Sequence, residues 1–285
     1  VKDGSRTLIT LDAAKIDEVL NAIADAILKN QDTILEANQK DLSRMKEDDP
    51  KYDRLKLTPE RLEGIANDMK NVASLPSPLG INIEERDLES GIHLQKVSVP
   101  IGVIGIIYEA RPNVTFDAFS LSFKSGNACA LKGGSDAADS NAAEVALIQS
   151  VLKDQGIDPN VVHLLPPERE AVKELLEATE YVDIIIPRGS QNLINFVREN
   201  AKVPTIETGA GIVHVYVDTS ADVGKAQKIV ENSKTKRPSV CNALDCLIVH
   251  RDRLNDLPAI MQDLAGHGVE VFADEDSHAV LDGNY

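Results

Sequence analysis

The sequence predicts an α/β protein whose main body is a parallel β-sheet covered by helices on both faces. Three observations carry this. Short apolar runs at 103–108, 128–132, 161–165 and 182–187 alternate with stretches of helical period, the pattern of strands buried on both faces. Aromatic residues are only 4% and Trp is absent, so the core must be built from Ile, Leu, Val and Ala. From about residue 211 the alternation starts again. The chain therefore divides into a domain at 1–210 and the opening of a second α/β domain at 211–285.

Taken in order, residues 11–30 carry Leu11, Ala14, Val19, Leu20, Ile23, Ala24, Ile27 and Leu28 at helical spacing, which predicts an amphipathic helix. Leu62, Ile65, Met69 and Val72 predict a second. The polar stretch 47–51 between them reads as a solvated turn, and the Pro- and Gly-rich 74–80 as a loop. A strand at 93–99 is grouped with those of the parallel sheet, and helices are expected at 140–152 and 191–200. The second domain reads as strand 212–217, helix 223–232, strand 246–250, a further helix and strand 269–272. The final 274–285 is mostly polar and is expected to close nothing.

Composition excludes several classes. The chain has 285 residues, 42% apolar and 27% charged, with a formal net charge of -16. That balance suits a soluble globular protein and argues against nucleic acid as a partner, since backbone phosphates call for a broad basic surface. No apolar run approaches the ~20 residues that span a bilayer. Three cysteines, Cys129, Cys241 and Cys246, are too few and odd in number for a disulfide framework, and point to a reducing compartment. No CxxC or HxxxH spacing accompanies them, so no metal site is expected. Residues 1–5 lack the apolar stretch of a secretion signal. Together these give an expectation of cytoplasmic location.

Five segments carry chemistry. Lys132-Gly133-Gly134-Ser135-Asp136 follows a strand and precedes a helix. Glycines let backbone approach a ligand, and Ser135 or Asp136 is placed to cap the helix. Arg188-Gly189-Ser190-Gln191 repeats the arrangement after the next strand but one. Either loop alone reads equally as an ordinary strand-to-helix turn. Two at the carboxyl ends of one parallel sheet favour a nucleotide site. Glu109-Ala-Arg111-Pro112-Asn113 holds Arg111 and Asn113 in a loop stiffened by proline, with Asn113 as an amide donor for an oxyanion or, more plainly, part of a surface turn. Glu207 precedes a glycine-rich link at the expected domain junction, a common place for ligands. Finally, Cys241 follows Lys234, Lys236 and Arg237, with no acid between residues 232 and 244. Nearby cations favour thiolate and an anionic substrate. The plainer alternative is a half-buried cysteine at the start of a strand behind a solvated basic loop.

Together, residues 99–115 (VPIGVIGIIYEARPNVT), 131–136 (LKGGSD), 186–190 (IPRGS), 203–209 (VPTIETG) and 236–243 (KRPSVCNA) resemble the gamma-glutamyl phosphate reductase (glutamate-5-semialdehyde dehydrogenase) family. That family is a proline-biosynthesis branch of the aldehyde dehydrogenase superfamily. The resemblance covers nearly the whole chain and is most specific over 97–250. It implies an aldehyde dehydrogenase-like fold: a Rossmann-type parallel-sheet domain binding NADPH/NADP, then the start of a catalytic α/β domain. It implies NADPH-dependent reduction of glutamate 5-phosphate to glutamate 5-semialdehyde with release of phosphate. In that reading Cys241 resembles the nucleophile that forms a thioester. Asn113 and the Cys241 N–H resemble an oxyanion hole. Lys132, with Gly133, Gly134 and Ser135, resembles the segment that contacts the adenosine ribose. Gly189 and Ser190, beside Arg188, resemble the turn over the pyrophosphate.

Arg111, Lys236 and Arg237 are assigned to the substrate's phosphate or carboxylate from their charge and their nearness to the motifs. Glu207 corresponds to the glutamate that activates water in hydrolytic relatives. Hydrolysis would waste an acyl group destined for reduction, so Glu207 is placed with the substrate contacts. The resemblance also admits a homo-oligomer and implies functional coupling to a glutamate 5-kinase. Family members continue for well over a hundred residues past the equivalent of Tyr285, so the second domain is expected to be incomplete. Two alternatives stay open: another oxidoreductase of the superfamily, acylating or oxidising, and a nucleotide-binding fragment without catalysis.

Overall fold

A computed structural model describes all residues except 50, 110, 208–210, 239 and 284. Parts of the 47–51 break, of the 205–211 link and of two motifs, at Ala110 and Ser239, thus lie outside the described residues. The chain forms two compact units, Val1–Thr208 and Gly209–Tyr285.

The first unit opens with helices: α1 (Lys2–Leu8), α2 (Ala13–Lys29), α3 (Gln31–Ser43), the single turn α4 (Tyr52–Leu55) and α5 (Pro59–Ser74). Helix α2 starts where the Asp12 side chain accepts the Lys15 N–H, and α5 where Thr58 accepts that of Arg61 before Pro59. Each satisfies an N–H that the helix itself cannot. Ile16, Val19, Leu20, Ile23 and Ile27 of α2 pack on Leu62, Ile65 and Met69 of α5 in one core. Each such side chain contributes about 1.5–3 kcal/mol on full burial.

A hairpin of β1 (Asn82–Asp87) and β2 (His93–Val97) follows. It corrects the expectation for 93–99. The pair is antiparallel and exposed along nearly its whole length, outside the parallel sheet. The reason is visible in the residues: His-Leu-Gln-Lys-Val alternates and β1 carries four charges in six residues, the composition of a ribbon that faces water.

The sheet itself comprises β3 (Val103–Tyr108), β4 (Ala128–Lys132), β5 (Val162–Leu164) and β6 (Ile184–Arg188), all parallel, in the order β5-β4-β3-β6. Every residue of β3 and β4 is buried. Helices α6 (Asn113–Lys124), α7 (Ala138–Asp154) and α8 (Glu170–Glu177) connect them, and α9 (Gln191–Asn200) follows β6. The chain steps outward from β3 through β4 to β5, then returns to place β6 on the other side of β3. Open parallel sheets bind ligands outside such a reversal, at the carboxyl ends of the two strands.

Ser135 and Asp136 do not cap α7, contrary to expectation. They lie in a 3-10 turn ahead of it. The cap comes from α3, whose Asp41 accepts the N–H groups of Asp139 (3.1 Å) and Ser140 (2.8 Å) and the Ser140 hydroxyl (2.6 Å).

In the second unit β7 (His214–Val217) pairs in parallel with β8 (Cys246–Val249). Helices α10 (Val223–Thr235), α11 (Leu257–Gly266) and α12 (Glu275–Leu281) complete it. Two expectations fail here. Residues 269–272 form no strand, and Phe272 is 90% exposed. The 274–285 tail forms α12, started by Asp274 accepting the Ser277 N–H, and buries Leu281 in this unit's core. One apolar residue per turn is enough to dock a short helix, and tail composition hides it. A cavity of about 690 Å³ opens among Val230, Leu244, Leu257, Met261 and Phe272. Its lining does not include Cys241.

Candidate active site

The carboxyl edge of the sheet gathers the first group of expected site residues. Strand register sets Ile107 beside Lys132 and Tyr108 beside Arg188. Lys132 is buried, and its ammonium donates to the carbonyls of Gly133 (2.8 Å) and Pro167 (3.1 Å). Two of its three donors thus meet backbone. Burial pulls its pKa below the usual lysine value, opposed by Glu168. Gly133 is there because a Cβ would lie 2.2 Å from Asn141 Nδ2. Arg188 ends β6 and is exposed.

The β6–α9 turn has a partner that the residue pattern alone did not reveal. Glu109, directly after β3, accepts the Ser190 N–H at Oε2 (3.0 Å) and its hydroxyl at Oε1 (2.7 Å). Its own N–H donates to Arg188 O (3.3 Å). Gly189 fits beneath it, since a Cβ there would come within 2.8 Å of the Glu109 carboxyl carbon. Ser190 also begins α9 by accepting the Leu193 N–H.

Asn113 is not in a loop. It is the first residue of α6, with Pro112 preceding it in helical geometry. One Nδ2–H donates to Asp117 Oδ2 one turn on, at 3.0 Å. Burial raises the Asp117 pKa, while the Asn113 bond opposes the shift. Behind this helix start lies a buried network. Tyr108 OH lies 2.8 Å from Thr115 Oγ1, which donates to Asn141 Oδ1 (3.0 Å). Burial pushes the Tyr108 pKa up. Glu144 is fully buried beside it, neither carboxyl oxygen has a hydrogen-bond partner, and its pKa is driven well above the ordinary carboxylate value. The cause is desolvation, which penalises the charged form. Signals for this network existed in the helix pattern, where Ser140, Asn141 and Glu144 share one face of α7 at i and i+3/i+4 spacing. Glu207 closes the first unit with Oε2 buried and unpartnered.

Cys241 belongs to the second unit. It is exposed, in turns that follow α10. Those turns are held by Val240 N–H to Arg237 O, Ala243 N–H to Val240 O and Leu244 N–H to Ser233 O. Lys236 and Arg237 are exposed. Lys234 donates to Leu244 O (2.8 Å) and so helps fix the loop. A cation at the end of α10 also meets the negative end of the helix dipole, which supplies a structural reason for part of the basic run. Of the other cysteines, Cys129 is fully buried in β4 and its pKa is pushed up to about 12 by burial. Cys246 is half-buried in β8.

Comparison with known proteins identifies the family. The model of the aldehyde dehydrogenase family matches residues 2–271. Gamma-glutamyl phosphate reductases of Chlorobaculum parvum and Pelodictyon phaeoclathratiforme are 57% and 59% identical over all 285 residues, which span 68% of each relative. The crystal structure of the Thermotoga maritima gamma-glutamyl phosphate reductase superposes with a TM-score of 0.90 at 38% identity, over 99% of this chain and 69% of that one. No helix among the described residues is long and apolar enough to cross a membrane. The chain belongs to the aldehyde dehydrogenase family and, within it, to the gamma-glutamyl phosphate reductases.

Proposed function

We propose that this chain carries the NADPH-dependent reduction of L-glutamate 5-phosphate to L-glutamate 5-semialdehyde, with release of phosphate, as a step of proline biosynthesis. The observation that carries the reading is the exposure of Cys241. Of three cysteines it alone is exposed, and it follows the exposed cations Lys236 and Arg237 in sequence, in a chain at least 57% identical to two named reductases. In this mechanism Cys241 Sγ, as thiolate, attacks the acyl carbon. The carbon–sulfur bond forms, the carbon–oxygen bond to phosphate breaks, and inorganic phosphate leaves with the electron pair. Lys236, Arg237 and Arg111 are assigned to the anionic groups of the substrate. Asn113 and the Cys241 N–H are assigned to the carbonyl oxygen as charge develops, a role in which losing one donor typically costs about 100- to 1000-fold in rate. Glu207 contacts substrate and does not act as a water-activating base.

The donor set at the carboxyl edge suits a dinucleotide. It offers the Lys132 ammonium with one donor left, the Arg188 guanidinium, the Ser190 hydroxyl and the first turn of a ten-residue helix. Lys132 with 133–135 would hold the ribose side, and 188–190 the phosphates. When bound, the nicotinamide supplies the hydride that takes the thioester carbonyl to the aldehyde.

The test is turnover of Cys241→Ala, followed as NADP reduction with glutamate 5-semialdehyde and phosphate. Activity should vanish while NADPH binding persists, and iodoacetamide should label Cys241 of the unsubstituted protein before Cys246 and Cys129. Substantial activity in the alanine variant would remove the mechanism.

A further inference from the structure

We infer that Glu109 sets the strength of dinucleotide binding, because its carboxylate occupies the anion position at the β6–α9 turn and the cofactor's phosphates must displace it. The inference rests on the reading that residues 188–190 receive those phosphates. The geometry is specific. Both Glu109 oxygens accept from Ser190, one from its N–H at 3.0 Å and one from its hydroxyl at 2.7 Å. These are the donors that a phosphate at this turn would use, and they stand at the start of α9, where the helix dipole favours negative charge.

Glu109 arrives from the neighbouring strand, 81 residues away in sequence. Gly189 leaves it just enough room, since any Cβ would collide with its carboxyl group. Two anions cannot share two donors, so phosphate binding and the Glu109 contact exclude each other. The same carboxylate lends the turn stability when no ligand is bound. Its removal therefore has two opposite consequences: a less stable free protein and a tighter complex. A residue that merely braced the turn in a binding-ready shape would move both quantities in the same direction.

Calorimetric titration of the full chain with NADPH and with adenosine distinguishes these. Glu109→Gln removes the charge and keeps the size, and Glu109→Ala removes the group. Both should bind NADPH about fivefold more tightly, the scale of an exposed charge contact. Adenosine, which has no phosphate, should bind unchanged, and the ligand-free melting temperature should fall. Unchanged or weaker NADPH binding in Glu109→Gln would overturn the inference and make Glu109 a brace. Lys132→Ala and Ser190→Ala serve as controls. If neither alters NADPH affinity, the cofactor site itself is misplaced and the inference falls with it.

Discussion

The two units treat polar side chains in opposite ways. Among the described residues, every buried polar or charged side chain lies in the first unit: Asn38, Asp41, Thr115, Lys124, Lys132, Ser140, Asn141, Glu144 and four others. Several of them bond across long stretches of sequence, as Asn38 does to Ser140 and Lys124 to Asp17, while the Glu144 carboxyl oxygens have no partner. The second unit is smaller and has no buried polar or charged residue among those described, though Arg253 is half-buried against the carbonyls of Thr219 and Ala221. Its side-chain bonds run mainly to nearby backbone, as with Lys234 and Leu244. The cysteines repeat the contrast, with Cys129 sealed in β4 and Cys241 open to solvent. Burial in a hydrogen-bonded network gives rigidity, which suits a scaffold for the proposed cofactor edge. The nucleophilic role proposed for Cys241 needs access, which an exposed loop on a small α/β unit gives.

The contrast breaks most severely at Asp41. Its carboxylate is 1% exposed and serves three donors at the start of α7, besides pairing with Arg44. Asp41→Ala leaves the buried Ser140 donors unpartnered and removes a helix cap. It should cost the first unit about 3 kcal/mol, from charge-assisted bonds and a lost cap. Urea unfolding would show a lower midpoint at unchanged slope. Alkylation of Cys241 should keep its native rate below the transition, because the second unit has its own core. A loss under 1 kcal/mol would mean that the network is not cooperative.

Glu144 sharpens the comparison through pH. Burial holds its folded pKa well above the ordinary carboxylate value. Above that value the unfolded chain has released the proton and the folded chain still holds it. Stability is therefore fully present at low pH and declines as pH rises from the ordinary value toward the folded one, by up to about 1.4 kcal/mol per pH unit. Glu144→Gln, which is always neutral, should flatten that decline, so that its advantage over the unsubstituted protein grows between pH 5 and pH 8. Melting temperatures across that range check the sign. An advantage that shrinks with pH would mean that Glu144 is ionised and paired.

The sequence made some of this legible. The strands 103–108 and 128–132 were readable to the residue because an unbroken apolar run is what a doubly covered strand requires. Helix α9 was equally clear from its periodicity. The hairpin partner Asn82–Asp87 was hidden, since a solvated strand needs no apolar residues. So was the cap on α7, supplied by Asp41 from a residue 98 positions away. The Glu109–Ser190 contact is hidden for the same reason: local pattern encodes helix faces and strand faces, but not which side chains from distant elements meet. For the candidate site, the placement of Lys132 at the carboxyl end of its strand was readable, while the position of Asn113 at the start of a helix and the contacts made by Glu109 were not.

The smallest expected effect concerns Arg237. The cations beside Cys241 invite the expectation that Arg237 holds substrate phosphate firmly, as a desolvated charge pair would. The structure places Arg237 at the surface, on a turn fixed through its own carbonyl to Val240 N–H. An exposed ion pair is screened by water and salt and costs side-chain entropy to form. Arg237→Ala should therefore raise the KM for phosphate only about two- to fivefold, with the KM for NADP unchanged and the effect fading at high salt. A rise near a hundredfold would mean that the loop becomes enclosed when substrate binds, so the second unit's charges would be desolvated in the working state. Equal rises for phosphate and NADP would instead assign Arg237 to holding the turn. The three results separate a surface charge that attracts substrate, a site that closes over it, and a structural arginine, and only the first preserves the contrast between the two units.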